Sequence, residues 1–77
     1  MTNLPNSKEQ LVPILMKNGF KKYEEVDYGF YKNELDVCID PKGPLLIFNR
    51  KNGILRQTGV QDIVFDILEM TGEKLIF

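Results

Sequence analysis

Three turn signals divide the middle of the chain, residues 22–58, into segments of strand length. They are Asn33-Glu34, Pro41-Lys42-Gly43-Pro44 and Asn52-Gly53. Asn-Gly is the strongest of the three, because both residues tolerate the positive φ angles of a tight hairpin turn. The pattern predicts an antiparallel β-meander of four strands, over residues 22–32, 35–40, 45–51 and 54–58.

The loop lengths also predict which residues face each other on neighbouring strands. Loops of two, four and two residues pair Phe30 with Val37, Val37 with Phe48, and Phe48 with Gln57. Because side chains alternate along a strand, these pairings predict one strongly apolar face. That face is expected to carry Val26, Tyr28, Phe30, Leu35, Val37, Ile39, Leu46, Phe48 and Leu55.

An amphipathic segment before the strands predicts a helix over residues 8–18. Ser7 followed by Gln10 matches a capping box at its start, and Gly19 suits the left-handed position after its end. Pro13 conflicts with an uninterrupted helix, because it lacks a backbone donor. It should bend the helix or move its start later.

A second amphipathic segment follows the strands. Thr58 and Gln61 form a second capping box, and Gly72 supplies the stop. The apolar tail that ends in Phe77 either docks on the body, for example as a short fifth strand, or is offered to a partner. Two amphipathic helices and one apolar sheet face predict an α+β fold of α-β-β-β-β-α order, in which both helices pack on the same side of the antiparallel sheet.

Size and cysteine content narrow the class of protein. A chain of 77 residues has material for one hydrophobic core, so residues 1–77 are expected to form a single domain. One Cys and no His exclude an internal disulfide and an ordinary zinc site. The polar amino terminus, the lack of a membrane-length apolar run and the single thiol predict a cytoplasmic protein without membrane contact.

Catalytic groups are scarce, and we expect no enzyme and no cofactor. Without His, the commonest general base and metal ligand is missing. Cys38 would need a nearby base or helix start to act as a nucleophile, and the predicted register places it in mid-strand. Asp27 and Asp40 are expected to face each other across the first two strands, with Asp36 on the same face. These carboxylates predict a solvated acidic surface, with a bound cation as the alternative and no metal site as the expectation.

Charge is distributed unevenly along the chain. Residues 24–40 carry six acidic side chains and one Lys, whereas residues 41–58 carry four cations and no acid. A two-stranded ribbon can enter a nucleic-acid groove, so a nucleic-acid-associated regulator that uses the basic hairpin 45–58 is the second hypothesis. Its candidate contacts are Arg50, Lys51 and Arg56.

The second face of the predicted sheet is the best functional clue. The predicted register gives it an apolar island with a charged rim, which is the anatomy of a protein-binding surface. The candidate residues are Tyr31, Asp36, Cys38, Leu45, Ile47, Ile54 and Arg56. Alternatively, the first helix or the carboxyl tail covers this face.

If that face is open, we expect a small non-enzymatic interaction or regulatory module. Its partner would be another protein or, in a symmetric homodimer, a second copy of the chain. An inhibitor, an immunity-type protein, a phage or mobile-element accessory factor and an assembly subunit all fit this description.

Overall fold

Two helices and five strands follow one another along the described part of the chain. The computed structural model describes residues 4–77, with α1 (Lys8–Lys17), β1 (Lys21–Lys22), β2 (Gly29–Lys32), β3 (Leu35–Ile39), β4 (Leu45–Asn49), β5 (Ile54–Thr58) and α2 (Asp62–Thr71). The strands pair antiparallel in the order β1-β2-β3-β4-β5. The α+β class and the meander are confirmed, and the sheet has one strand more than the four predicted.

Helix α1 begins at the predicted cap. The Ser7 hydroxyl accepts a hydrogen bond from the Gln10 amide at 3.2 Å, while the Gln10 side chain accepts one from the amide of Asn6 at 2.7 Å. The second half of the capping box is thus displaced by one residue. Pro13 lies inside the helix and does not move its start later.

The end of α1 is a Schellman motif, as the position of Gly19 predicts. Gly19 has a φ of +91°, and its amide donates to the Met16 carbonyl at 3.1 Å. The Phe20 amide reaches the Leu15 carbonyl at 3.0 Å, and both of these side chains are buried. The apolar contact between them closes the motif.

The additional strand, β1, arises at the start of the predicted first strand, residues 22–32. The chain folds back there, so that Lys22 of β1 faces Phe30 of β2 and the Tyr23 amide donates to the Gly29 carbonyl. A Cβ atom at Gly29 would lie only 2.8 Å from a methyl carbon of Val26, so glycine permits this close approach. Residues 23–28 form the connecting loop, which we call the acidic loop because it contains Glu24, Glu25 and Asp27.

The carboxyl tail docks on the body without forming the predicted fifth strand. Leu75 is buried, and Asn18 at the end of α1 exchanges two hydrogen bonds of 2.8 Å with the backbone of Ile76. Lys17 also donates to the carbonyl of Phe77, which is half-buried. The side-chain amide group of Asn18 therefore pairs with the Ile76 backbone as a neighbouring strand would.

Helix α2 begins without the predicted capping box. Gln61 occupies the cap position with no side-chain hydrogen bond, and the Thr58 hydroxyl donates to the Asp66 carboxylate instead. The end of α2 is as predicted, because Gly72 adopts the left-handed conformation and its amide donates to the Leu68 carbonyl. Both helices have ten residues, and in the range 4–77 no helix has the length and apolar character to cross a membrane.

The first predicted register is confirmed. Phe30 faces Val37 and Lys32 faces Leu35, across a two-residue turn in which Asn33 has a φ of +53°.

The register between β3 and β4 is shifted by one residue from the prediction. Val37 faces Ile47 rather than Phe48, because the loop has five residues, 40–44, instead of four. Lys8 of α1 holds this loop: its ammonium donates to the carbonyls of Asp40 and Gly43 at 2.7 and 2.6 Å. The predicted pairing of Cys38 with Ile47 is likewise wrong, and Cys38 faces Leu46.

The register between β4 and β5 is shifted by two residues. Phe48 faces Leu55 rather than Gln57, and residues 50–53 form a four-residue loop instead of a two-residue Asn-Gly turn. Asn49 organises this loop, since its side-chain oxygen accepts from the Lys51 amide at 2.9 Å and its carbonyl from the Gly53 amide at 2.8 Å. A four-residue loop needs the left-handed conformation only at Gly53, which has a φ of +76°.

The two shifts together decide which residues form the core. A shift of one residue turns a strand over, whereas a shift of two does not, so β4 and β5 are both inverted relative to the prediction. We call the face covered by the helices the inner face. The buried sheet residues of the inner face are Phe30, Leu35, Val37, Ile39, Leu45 and Ile47. They pack with Leu11 and Leu15 of α1 and with Ile63, Val64 and Ile67 of α2.

Candidate functional site

The opposite face of the sheet, which we call the outer face, carries apolar side chains without a helix over them. The strands β3 and β4 alternate between buried and half-buried residues, and the half-buried set points to this side. Leu55 on β5 is 62% exposed. The outer face contains Tyr31, Asp36, Cys38, Leu46, Phe48, Leu55 and Gln57.

The acidic loop forms a wall beside this face. It approaches β2 at Gly29, and two of its apolar side chains, Val26 and Tyr28, remain 51% and 43% exposed. The wall and the strands enclose an open groove of about 720 Å³, which we call the outer groove. Its apolar lining includes Val26, Tyr28, Cys38, Leu46, Phe48 and Leu55.

Tyr23 and Asp36 fix the acidic loop to the sheet. The Tyr23 hydroxyl donates to the Asp36 carboxylate, and the Tyr23 ring lies against the Tyr31 ring with 4.6 Å between centroids. The hydrogen bond to Asp36 raises the pKa of Tyr23, because it stabilises the neutral phenol. Partial burial and the nearby carboxylate charge act in the same direction.

Arg50 completes the polar end of the site. Its Nε lies 3.1 Å from the Asp36 carboxylate, and its guanidinium also donates to the carbonyl of Asn33. Its backbone amide donates to the Glu34 carbonyl at 2.8 Å. Arg50 therefore connects the turn after β2 to the loop after β4, and its charge offsets that of Asp36.

The rim of the outer groove is acidic. Glu25, Asp27 and Asp36 are among its lining residues, whereas no Lys or Arg of residues 4–77 lines it. Arg50 offsets Asp36. The other two acidic residues, Glu25 and Asp27, are exposed and form no ion pair within 4 Å among residues 4–77, and each also borders a neighbouring depression that Lys22 lines. A ligand in this groove meets an apolar floor and a negative border.

The structure brings only some of the predicted surface residues together. Tyr31, Asp36 and Cys38 lie on the outer face as predicted, but Leu45 and Ile47 are 3% and 0% exposed beneath the helices. Their assignment to a recognition surface is wrong, because the shifted register turns β4 over.

The two predicted surface residues on β5 also lie on the other side of the sheet. Ile54 is 44% exposed and pairs with buried Asn49. Arg56 reaches α2, where its guanidinium lies 2.8 Å from Asp66 and 3.5 Å from Glu69. The residues that take their place in the groove are Leu46, Phe48 and Leu55, which the prediction placed in the core.

The three basic residues of the predicted nucleic-acid contact do not form a common patch. Arg50 pairs with Asp36 beside the outer face, whereas Arg56 pairs with Asp66 on the helix side. Lys51 is exposed at the tip of the hairpin between them. The two guanidinium groups are therefore already occupied by carboxylates.

Asp40 lies apart from the other two acidic residues considered for a cation site, Asp27 and Asp36, which both line the outer groove. Asp36 binds Tyr23 and Arg50, while Asp40 lies in the next loop and accepts a hydrogen bond from the Lys42 amide. Among residues 4–77 there is no group of three or more His, Cys, Asp or Glu side chains that could hold a metal ion.

Comparisons with protein-family models, with curated proteins and with solved structures found no match to this chain.

Proposed function

We propose that this protein acts by binding another protein through the outer groove, as a regulatory or assembly module rather than as a catalyst. The proposal rests on the difference in coverage between the two faces of the sheet. The inner face is closed by two helices, whereas the outer face leaves apolar side chains such as Leu55 and Val26 in contact with water.

Exposed apolar groups that share one groove favour association. Each square ångström of apolar surface removed from water contributes roughly 25 cal/mol, so a partner that covers the groove gains free energy from the whole set at once. Single exposed apolar residues are ordinary on protein surfaces, but a contiguous set bordered by charge is typical of interaction sites.

The groove is also held in shape before a partner arrives. The acidic loop is fixed by the hydrogen bond from Tyr23 to Asp36, and Asp36 is fixed in turn by Arg50. A preformed wall lowers the conformational entropy that binding must overcome. These contacts support a binding role for the site, and the single thiol of Cys38 remains consistent with the reducing, cytoplasmic setting that we propose.

Site-specific photo-crosslinking in the native cell tests the proposal. A photoreactive amino acid at Leu55 lies in the groove, and the same amino acid at Phe65 of α2 is a matched control, because both positions are strongly exposed, at 62% and 58%. We expect a discrete protein adduct from position 55 and none from position 65.

The adduct must also depend on the chemistry of the groove. The purified partner should lose its affinity for a Leu55→Asp variant and keep it for Phe65→Asp, since only the first introduces a charge into the apolar contact. Equal labelling from both positions, or equal affinity of both variants, would contradict the proposal. Sedimentation equilibrium of the purified protein reports whether the adduct is a second copy of the chain.

A further inference from the structure

Building on the proposed function, we infer that the partner presents an amphipathic α-helix to the outer groove, with Lys or Arg on both sides of its apolar stripe. Three features of the groove lead to this occupant: its floor is formed mainly by side chains, its three strands give it about the width of a helix, and the charged residues of its lining are acidic.

The chemistry of the floor selects a helix over an extended segment. The backbone groups of β3 and β4 are bonded to strands on both sides, so on the floor only the free edge of β5 has unpaired backbone donors and acceptors. An extended peptide laid on this face, away from the β5 edge, would bury its own N–H and C=O groups without partners, which is unfavourable. A helix satisfies these groups internally.

The dimensions of the floor agree with this choice. Three strands, β3 to β5, lie beyond the acidic loop, and neighbouring strands are about 4.8 Å apart, so the floor is about 10 Å wide. The diameter of a helix with side chains is also about 10 Å. The inner face of the same sheet already packs against helices in this way.

The charge of the rim selects a basic partner. Glu25 and Asp27 border the groove without a cation beside them in its lining. Lys or Arg on the flanks of the helix would meet them as the apolar stripe covers Phe48 and Leu55. A second copy of the chain is disfavoured here, because a two-fold interface over the groove brings two acidic rims together.

The test uses Cys38, which lies in the floor of the groove, as a reporter of occupancy. Two synthetic peptides of roughly 18 residues have Leu at the same positions, at helical spacing. All the remaining positions are Lys in one peptide and Glu in the other. Each is titrated into the protein while the rate of Cys38 alkylation is measured at low salt. We expect the Lys peptide to slow alkylation severalfold, and the Glu peptide to leave it unchanged.

Two matched variants locate the charge effect. Glu25→Gln with Asp27→Asn removes two charges from the rim, and Asp62→Asn with Glu69→Gln removes two from α2. The first pair should raise the Kd of the Lys peptide about fivefold, and the second should change it less than twofold. Equal weakening by both pairs would show a general attraction between a basic peptide and an acidic protein, and would overturn the inference.

The remaining outcomes separate this inference from the proposed function. Equal protection by the Lys and Glu peptides overturns the basic partner, while the groove stays a docking site. Protection by neither peptide, together with a position-55 adduct in the cell, overturns the helical partner but leaves the proposed function intact. Amide chemical-shift changes confined to the β5 edge would assign the peptide to strand addition, and would also overturn the inference. Loss of the adduct itself would reject the proposed function.

Discussion

On the inner face of the sheet Val37 and Ile47 are almost inaccessible to water, whereas Leu55 on the outer face keeps 62% of its surface exposed. Both faces are built from the same strands and both are rich in apolar side chains. The difference is what lies above them: two helices on the inner face, and an acidic loop along one border of the outer face. Apolar composition alone thus does not identify a core.

The two faces therefore contribute differently to folding and to binding. Residues of the inner face contribute to the free energy of unfolding, because the folded chain removes them from water by itself. Residues of the outer groove contribute little until a partner covers them.

The largest effect is expected from a cavity on the inner face. Ile47→Ala should lower the free energy of unfolding by about 3 kcal/mol, because a fully buried side chain loses contacts that its neighbours cannot replace. Leu55→Ala on the outer face should change it by less than about 0.5 kcal/mol. Urea unfolding followed by circular dichroism measures both, and similar losses in the two variants would remove the distinction between the faces.

The next effect concerns Asn49, the buried polar residue where β4 ends. Asn49→Ala removes the acceptor for the Lys51 amide and should cost about 1–2 kcal/mol of unfolding free energy. Asn52→Ala is the control, since the Asn52 side chain accepts one hydrogen bond at an exposed position. If the control loses as much stability as Asn49→Ala, the buried hydrogen bond of the Asn49 side chain is not what stabilises the loop.

A smaller effect is expected from the contact that connects α1 to the loop 40–44. Lys8→Met keeps the aliphatic stem and removes the donor to the Asp40 and Gly43 carbonyls, so it should cost about 1 kcal/mol. Lys42→Met, an exposed change in the same loop, should cost less than about 0.5 kcal/mol. Cross-strand contacts between β3 and β4, measured by NMR, should persist in the control. A Lys8→Met variant as stable as wild type would refute the role of the Lys8 contact with the loop.

The smallest effect is a pH dependence at the polar end of the outer face. The pKa of Tyr23 is raised above its ordinary value of about 10, mainly by its hydrogen bond to Asp36. This contact therefore contributes stability below about pH 10, and the contribution is lost as the pH rises through the folded-state pKa of Tyr23. Tyr23→Phe should abolish that part of the alkaline loss.

Absorbance of the phenolate provides the measurement. In Asp36→Asn the Tyr23 titration should move to lower pH than in wild type, because the carboxylate that favours the neutral phenol is gone. An unchanged titration would mean that the acidic loop is not fixed through this contact.

The helix ends and the first hairpin could be predicted from the sequence because their signals are local. Gly19 and Gly72 end the helices, and the Asn33-Glu34 turn sets the register of β2 against β3 with contacts only a few residues apart. The composition of β4 carries no comparable signal for its orientation. Leu45 and Ile47 on one side and Leu46 and Phe48 on the other are equally apolar, so alternation cannot choose between them.

The candidate site follows the same division. Tyr31, Asp36 and Cys38 were predicted on the outer face because they lie on strands whose register is set by the local turn. Leu46, Phe48 and Leu55 were missed because their side depends on the length of the loop 40–44. The wall of the groove was missed as well, since the fold-back at Gly29 requires Val26 and Tyr23 to pack against it.

Local sequence signals were enough to predict two helices that each end at a glycine, short strands joined as a meander, and an excess of acidic residues between positions 24 and 40. The side of β4 and β5 that forms the core depends instead on contacts between residues that are far apart in the sequence. Lys8, more than thirty residues earlier in the sequence, holds the loop 40–44 before β4. This loop has five residues instead of the predicted four, and the additional residue inverts both β4 and β5. Because side chains alternate with a period of two, one residue of register separates a buried core from a surface open to a partner.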